Sequence, residues 1–596
     1  MPIADAPQGA PMPLRDVAWR AAWVWLPVSL FFLAFSWQGL TAAPMWMSDA
    51  DDALRLVQVR DLLAGQGWFD LHQYRSNAPD GGVLMHWSRL VDIPLAAVIL
   101  LLKPLLGQAG AEMVAVATVP LGTFYLALLL TGRLAGRLAG RDAVLGACLV
   151  AGLSLVVVAQ MRPLRIDHHG WQVVCALAAL NALFARRPRP AGWLAGLALA
   201  AELAISMEGL PLAVAVAAVA AWRWLRDPAE RAWAVTMMQG LAGGSVLLFL
   251  ATRGFADLAT HCDAIAPVHL AIFVWGAFAL TVLAALPRQS MPVVLGGFAV
   301  TGGIALAILA WAAPICLGGG FAELPPSLHE NWLVTVPEGR PVWEKRWPLA
   351  LQIALPLALA LVVSLRRMMA MNVAERSRWG EFTALLAVAV ALALIVSRAS
   401  ATAQVLSAIP LGWLVGRWLA TLRAGAPLRQ GLAILAGLLV VLFPMLPATL
   451  AASVLPASGD AESRMQASLQ ACGMEEGLQA LSRLPRGEIL SLIDMGSHLL
   501  MGTPHGVVAT GHHRAVAGML FEQAAFKATP DQAQAMLAAR GTSYVALCVN
   551  MDETRRLSEE APGGLAAGLV RGEAPSWLTP VPVNGAGAGF RLWRVR

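Results

Sequence analysis

The sequence predicts a polytopic α-helical membrane protein that carries a C-terminal soluble α/β domain. Three observations predict it. The 596 residues are 58% hydrophobic and only 13% charged, against about 25% charged residues in soluble domains. Apolar stretches of roughly 17 to 25 residues recur along the first three quarters, each long enough to cross about 30 Å of hydrocarbon as a helix. From about Leu455 the chain turns to mixed charge and short elements, the material of a separate domain.

About thirteen spans are expected. They lie near 21–43, 111–132, 143–160, 168–185, 191–206, 209–224, 233–251, 268–286, 291–313, 347–365, 380–397, 402–420 and 431–451. The first is longer than a signal-peptide core and lacks a cleavage site, so it is read as uncleaved. The run 93–107 is short and contains Pro94, Lys103 and Pro104, which places it along the interface rather than across the bilayer. With the N-terminus cytoplasmic, the inner loops hold Arg133, Arg137 and Arg141, then Arg186, Arg187 and Arg189, then Arg223, Arg226 and Arg231. Further along they hold Arg366, Arg367, Arg376 and Arg378, and finally Arg417, Arg423 and Arg429. This is the positive-inside pattern. Segments 44–92, 314–346 and 452–596 then fall outside, so residues 1–454 form a transmembrane unit with two long outer loops and 455–596 an outer domain. In that domain Ile489–Ile493, Gly506–Ala509, Ser543–Cys548 and Phe590–Val595 read as strands, and Thr529-Pro530-Asp531 opens a helix.

The net charge is +6, but the basic residues are scattered in twos and threes rather than gathered on one face, which argues against a nucleic-acid partner. The six cysteines show no CxxC pair, which argues against zinc or iron–sulfur chemistry. Only Cys472 and Cys548 are expected to be able to form a disulfide.

Three acidic sites lie far apart in sequence yet on one expected side. Ser48-Asp49-Ala50-Asp51-Asp52 follows the first span. It reads either as helix capping by Ser48 or Asp49 or as divalent-metal binding, since hard oxygen ligands suit magnesium or manganese. Asp167-His168-His169, after Arg162 and Arg165, stands at the mouth of the fourth expected span, where ionisable groups are costly and tend to be functional; either Asp167 and His169 reach one metal or the two arginines simply neutralise Asp167. Thr335-Val336-Pro337-Glu338 lies in the loop 314–346. A shared metal would give the three a common purpose. Glu208, at an outer turn, is either a site-lining or a paired structural acid, and Arg398 either binds phosphate or anchors the interface. His505, His512, His513 and Arg514 either contact substrate or are solvated.

In these motifs the chain resembles the membrane glycosyltransferases of the GT-C superfamily, and within them the catalytic subunit of oligosaccharyltransferases. That family has thirteen spans, a cytoplasmic N-terminus and an outer C-terminal domain. Asp49 and Arg55 have the Asp-to-Arg spacing of its first-loop pattern. Asp167-His168-His169 fits its Asp-x-Asp/Glu/His motif, and Thr335-Val336-Pro337-Glu338 its Ser/Thr-Val/Ile-x-Glu motif. Leu492-Ile493-Asp494-Met495-Gly496 stands nearest to its Trp-Trp-Asp-Tyr-Gly but lacks the aromatic residues, which leaves the acceptor open among lipid, glycan and protein. The resemblance implies Mn2+ or Mg2+ held by Asp49, Asp167, His169 and Glu338, with Asp49 and Glu338 catalytic and Arg398 on the donor phosphate. Arg55, Glu208, His505, His512, His513 and Arg514 are the further candidates for substrate contact. It also implies a polyprenyl-(di)phosphate sugar donor, inversion at the anomeric carbon, and a bacterial inner membrane with a periplasmic tail. A lipid A or polysaccharide-modifying transferase shares these features. An ion-coupled transporter or lipid flippase is the alternative of another class, though such proteins place their ion sites at the bilayer midplane on paired repeats.

Overall fold

A computed structural model describes residues 12–42, 45–47, 49–454, 472–583, 585 and 589–596. Ser48 and the expected domain boundary at Leu455 lie outside these residues. Among the described residues nine helices are long and apolar enough to cross a membrane, and ten if Leu428–Leu442 and Met445–Ser453, bent by 93°, form one span.

This is fewer than the thirteen expected from hydropathy, and short or broken helices supply part of the reason. The run 143–160 divides into Ala143–Gly152 and Leu155–Ala159, because Ser154 starts a new turn by accepting the Val157 N–H. The run 168–185 yields only His169–Leu183, about 22 Å of helix at ~1.5 Å per residue. The segment 93–107 is one arm of Arg89–Leu138, which breaks at Gly107 where φ is 70°. Elsewhere small residues let helices approach closely, as is common between membrane helices. Pro188–Ile205 packs on Arg231–Thr252 so tightly that a Cβ on Gly196 would lie 2.1 Å from the Met237 carbonyl.

The first long loop carries a helix, Ala50–Leu63, and a short hairpin of β1 (His72–Gln73) and β2 (Val83–Leu84). The tail holds β3 (Glu488–Ser491), β4 (Gly506–Val507), β5 (Tyr544–Cys548), β6 (Leu578–Val581) and β7 (Phe590–Val595). They form one mixed sheet in the order β4-β3-β5-β7-β6, with β3 parallel to β4 and β5, and β7 antiparallel to β5 and β6. All five residues of β5 are buried, as befits a strand covered on both faces. The expected helix runs Pro530–Arg540 behind a Thr529/Gln532 capping box.

The tail docks on the first loop through backbone pairing as well as apolar packing. Asn77 N–H donates to Val507 O at 2.9 Å, and Val507 N–H donates to Arg75 O at 2.8 Å. His498 Nε2 bonds Met47 O at 3.0 Å, and Arg60 donates to Met501 O at 2.7 Å. One buried apolar cluster runs through both units. Cys472 pairs with Cys548 as expected. A second disulfide, Cys262–Cys316, joins two loops 54 residues apart and corrects the expectation that only Cys472 and Cys548 could pair, because the loops between helices bring together cysteines that no spacing pattern links.

Candidate active site

Loop segments from along the chain converge on a cavity of about 590 Å3, whose walls include Asp51, His86, His168, His169, Glu208, Asp263, Glu338, Arg398, His512 and His513. Each acid arrives on a different element. The first-loop helix begins at Ala50 with Asp49 as its N-cap, Asp49 Oδ1 accepting the Asp51 N–H at 2.9 Å. Its other oxygen pairs with Arg165. Asp49, expected as the first metal ligand, is therefore turned to Arg165, and the first-loop carboxylate on the cavity wall is Asp51.

Asp52 completes the local framework. Its Oδ1 accepts the backbone N–H groups of Ile166 and Asp167 at 2.7 and 2.8 Å, and its Oδ2 pairs with Arg165 Nη1 at 2.9 Å. The turn it grips contains Leu164 at φ 72°, a left-handed conformation that costs a non-glycine residue about 1–3 kcal/mol and persists only under such restraint. Arg55, expected to touch substrate, is fully buried. It pairs with Asp92 at 3.1 Å and reaches Asp167 at 3.5 Å from behind, stacked on Trp87 at 4.5 Å.

Asp167 then meets both histidines, at 2.6 Å from His168 Nδ1 and 3.3 Å from His169 Nε2. His169 Nε2 also lies 3.8 Å from Glu338. The Glu338 loop is held by Ser397, which donates through Oγ to Glu338 O at 3.0 Å and through N–H to Arg340 O at 3.1 Å. Arg398 follows directly, paired with Glu208 and 3.8 Å from Glu338. Sequence motifs 116 to 190 residues apart are thereby joined at single side chains.

The carboxyls respond differently to this crowding. Burial, then the charges of Asp167, Asp49 and Glu338, push Asp51 well above the usual carboxylate range. Burial also raises Asp52 to about 7 against the pull of Arg165. Burial pushes Asp167 up too, but His168 and His169 outweigh it and hold that group well down. Glu338 is likewise lowered, by His169 and Arg398 against burial. Acids driven apart in this way mark a working site more often than a structural one.

A second cavity of about 350 Å3 adjoins the first, sharing His169, Glu208 and Arg398 and otherwise walled largely by apolar residues such as Val173, Leu212, Leu392 and Val396. Arg398 thus stands where the two cavities meet.

The tail contributes unevenly. His512 and His513 line the cavity, and Arg514 donates to both oxygens of Asp263 at 2.8 and 2.5 Å. His505 does not reach it. It is wholly buried in the tail, accepting the Gly487 N–H at 3.1 Å and bonding Leu481 O at 2.8 Å. Asp494 is likewise turned away from the cavity, onto a separate small pocket it shares with Glu553 and Arg556. Asp263 joins the site without a sequence signal, and His86 joins it although the run His86-Trp87-Ser88-Arg89 reads in sequence as an interfacial segment.

No family model and no curated protein matches the chain. Solved structures do. The chain is similar to the archaeal oligosaccharyltransferase AglB from Archaeoglobus fulgidus in complex with an inhibitory peptide and a dolichol-phosphate. The identity is 13% and the TM-score 0.65, over 92% of this chain and 72% of that one. It is similar to the oligosaccharyltransferase of the same organism tethered with an acceptor peptide containing the NVT sequon, at 13% identity and TM-score 0.64 over 91% and 71%. It also resembles that enzyme in complex with Zn and sulfate, at 13% identity and TM-score 0.59 over 91% and 70%. The likeness is one of fold: the chain shares the fold of these oligosaccharyltransferase structures.

Proposed function

We propose that this membrane protein is a glycosyltransferase that moves a sugar or oligosaccharide from a polyprenyl-(di)phosphate donor to an acceptor at the outer face of a bacterial inner membrane. The observation that carries the reading is the meeting of Asp51, His169, Glu338 and Arg398, drawn from four separate segments, on one cavity that opens beside an apolar chamber, with Asp167 paired to His169 at 3.3 Å. A soluble nucleotide sugar needs no apolar chamber, whereas a lipid-linked donor does.

The donor set fits a divalent cation. Three carboxylates and one imidazole converge, a largely hard-oxygen set suited to Mg2+ or Mn2+, with Asp51, Asp167, His169 and Glu338 as the residues that would hold it. When bound, the cation supplies positive charge that stabilises phosphate leaving the anomeric carbon. Arg398 presents its guanidinium to the donor phosphate, a geometry that suits phosphate oxygens. Asp51, on the cavity wall, takes the acceptor's proton. Arg55, Asp52 and Arg165 act behind the site, holding Asp167 and the first-loop helix in register.

The test is label transfer from a polyprenyl-linked sugar by the purified full chain in detergent, with and without manganese, comparing wild type with Asp51→Asn and Glu338→Gln. Metal-dependent turnover lost in both variants, with melting unchanged, supports the assignment. Turnover that survives both substitutions sinks it, and a folded protein inert with every donor returns the weight to transport.

A further inference from the structure

Beside the Asp167 group, three histidines from two distant parts of the chain meet on the cavity wall. His86 ends the first long loop, while His512 and His513 belong to the tail. His86 Nδ1 and His512 Nε2 stand 2.8 Å apart. The ring centroids of His513 lie 4.7 Å from those of both His86 and His512. One nitrogen of each ring is within 4.8 Å of one from each of the others.

The surroundings hold these rings in place. Asp263 bonds His513 Nε2 at 2.5 Å, the carboxylate–imidazole pairing that orients a ligand ring and raises its basicity in histidine metal sites. Arg514 grips both oxygens of Asp263 and so cancels its charge locally. The His86 backbone is fixed by Arg253, which donates to its carbonyl at 2.5 Å. Trp87 packs edge-on against the His512 ring at 5.3 Å.

We propose that His86, His512 and His513 form a second metal site, of the zinc class, distinct from the carboxylate-rich group around Asp167. Donor chemistry separates the two. Imidazole nitrogens suit zinc, nickel and copper, whereas carboxylates suit magnesium and manganese. Three protein nitrogens leave a fourth position facing the cavity. The ion also clasps the tail to the first loop, since its ligands come from residues 426 positions apart.

Binding requires one proton shift. His512 Nδ1 accepts the Arg514 N–H at 3.3 Å, so its ring proton sits on Nε2 and donates to His86 Nδ1. With the ion present that proton moves to Nδ1, the long contact to Arg514 is given up, and both facing nitrogens offer lone pairs to the metal. No proton is lost from the ring overall.

The experiment needs no turnover and stands apart from the transferase reading. The purified full chain is dialysed against Zn2+ and its retained zinc counted by mass spectrometry. It is compared with a His512→Gln/His513→Gln variant and an Asp167→Asn/Glu338→Gln variant. Wild type is expected to keep one zinc that the histidine variant lacks and the carboxylate variant retains, and zinc should raise the melting temperature of the first and third proteins only. Equal zinc in wild type and the histidine variant overturns the site, as does loss from the carboxylate variant instead. Should the histidine variant fail to fold, a Co2+ titration of wild type decides. Intense visible bands of a four-coordinate nitrogen site support the proposal, and a weak octahedral spectrum refutes it.

Discussion

Asp52 offers the most direct test of how the site is assembled, because one carboxylate oxygen holds the backbone of the second acidic motif. Asp52→Ala removes the acceptor of the Ile166 and Asp167 N–H groups. A buried donor left without a partner costs about 1–3 kcal/mol, so the pair is worth about 2–6 kcal/mol locally. Arg165 keeps Asp49 and Gln160 and offsets little of this. Asp52→Asn is the control. Its amide oxygen still accepts both N–H groups, while its amide nitrogen gives up the pair that the other oxygen makes with Arg165. Hydrogen exchange reads the effect at the bonds themselves. At about 1.4 kcal/mol per tenfold, the alanine variant should exchange amides 166 and 167 at least about tenfold faster, and the asparagine variant should stay within about threefold of wild type. A backbone shift of about 1 Å at Asp167 would also lower transfer by about 10²-fold. If the alanine variant protects these amides as well as wild type does, Asp52 is not the staple the geometry describes.

Glu338→Gln, which keeps the shape and removes the charge beside His169, should lower transfer by at least about 10²-fold without moving the melting temperature. Arg398→Lys keeps a charge but loses the guanidinium fork, and should raise the donor KM by about tenfold. His505→Ala strands the Gly487 N–H and Leu481 carbonyl inside the tail. It should destabilise the protein by about 1–3 kcal/mol while turnover per folded molecule holds, and a selective loss of turnover would return His505 to the site. The tail also carries a pH dependence. Burial, and then Asp494, raises Glu553 from its ordinary 4.5 to about 8, and burial raises Glu522 as well. The folded tail therefore binds more protons than the unfolded chain between those values, and its stability falls as pH rises from about 4.5 to about 8. Glu553→Gln should flatten that slope, and a melting temperature that climbed across the window would contradict the burial argument.

Much of this architecture is legible in local sequence. Hydropathy marks where helices run, because a bilayer leaves the backbone no partner but itself. The strands at 488–491, 544–548 and 590–595 and the Thr529 cap are likewise written in short-range pattern. So are the three acidic motifs and their order. Tertiary structure alone decided which side chains meet. Asp49, Asp51 and Asp52 fall within four residues, but a helix turns about 100° per residue, so its docking angle sends Asp49 to Arg165, Asp52 under the Asp167 backbone and only Asp51 to the cavity. Arg55 likewise lies behind Asp167 because the same helix turns that face inward. The break at Ser154, which leaves fewer long spans than hydropathy suggests, depends on backbone geometry that mean apolarity does not register. The Cys262–Cys316 bond and the gathering of His86 with His512 and His513 join residues whose own neighbours say nothing of each other. Local propensity sets φ, ψ and periodicity, whereas contact across tens to hundreds of residues is set by how buried faces fit together.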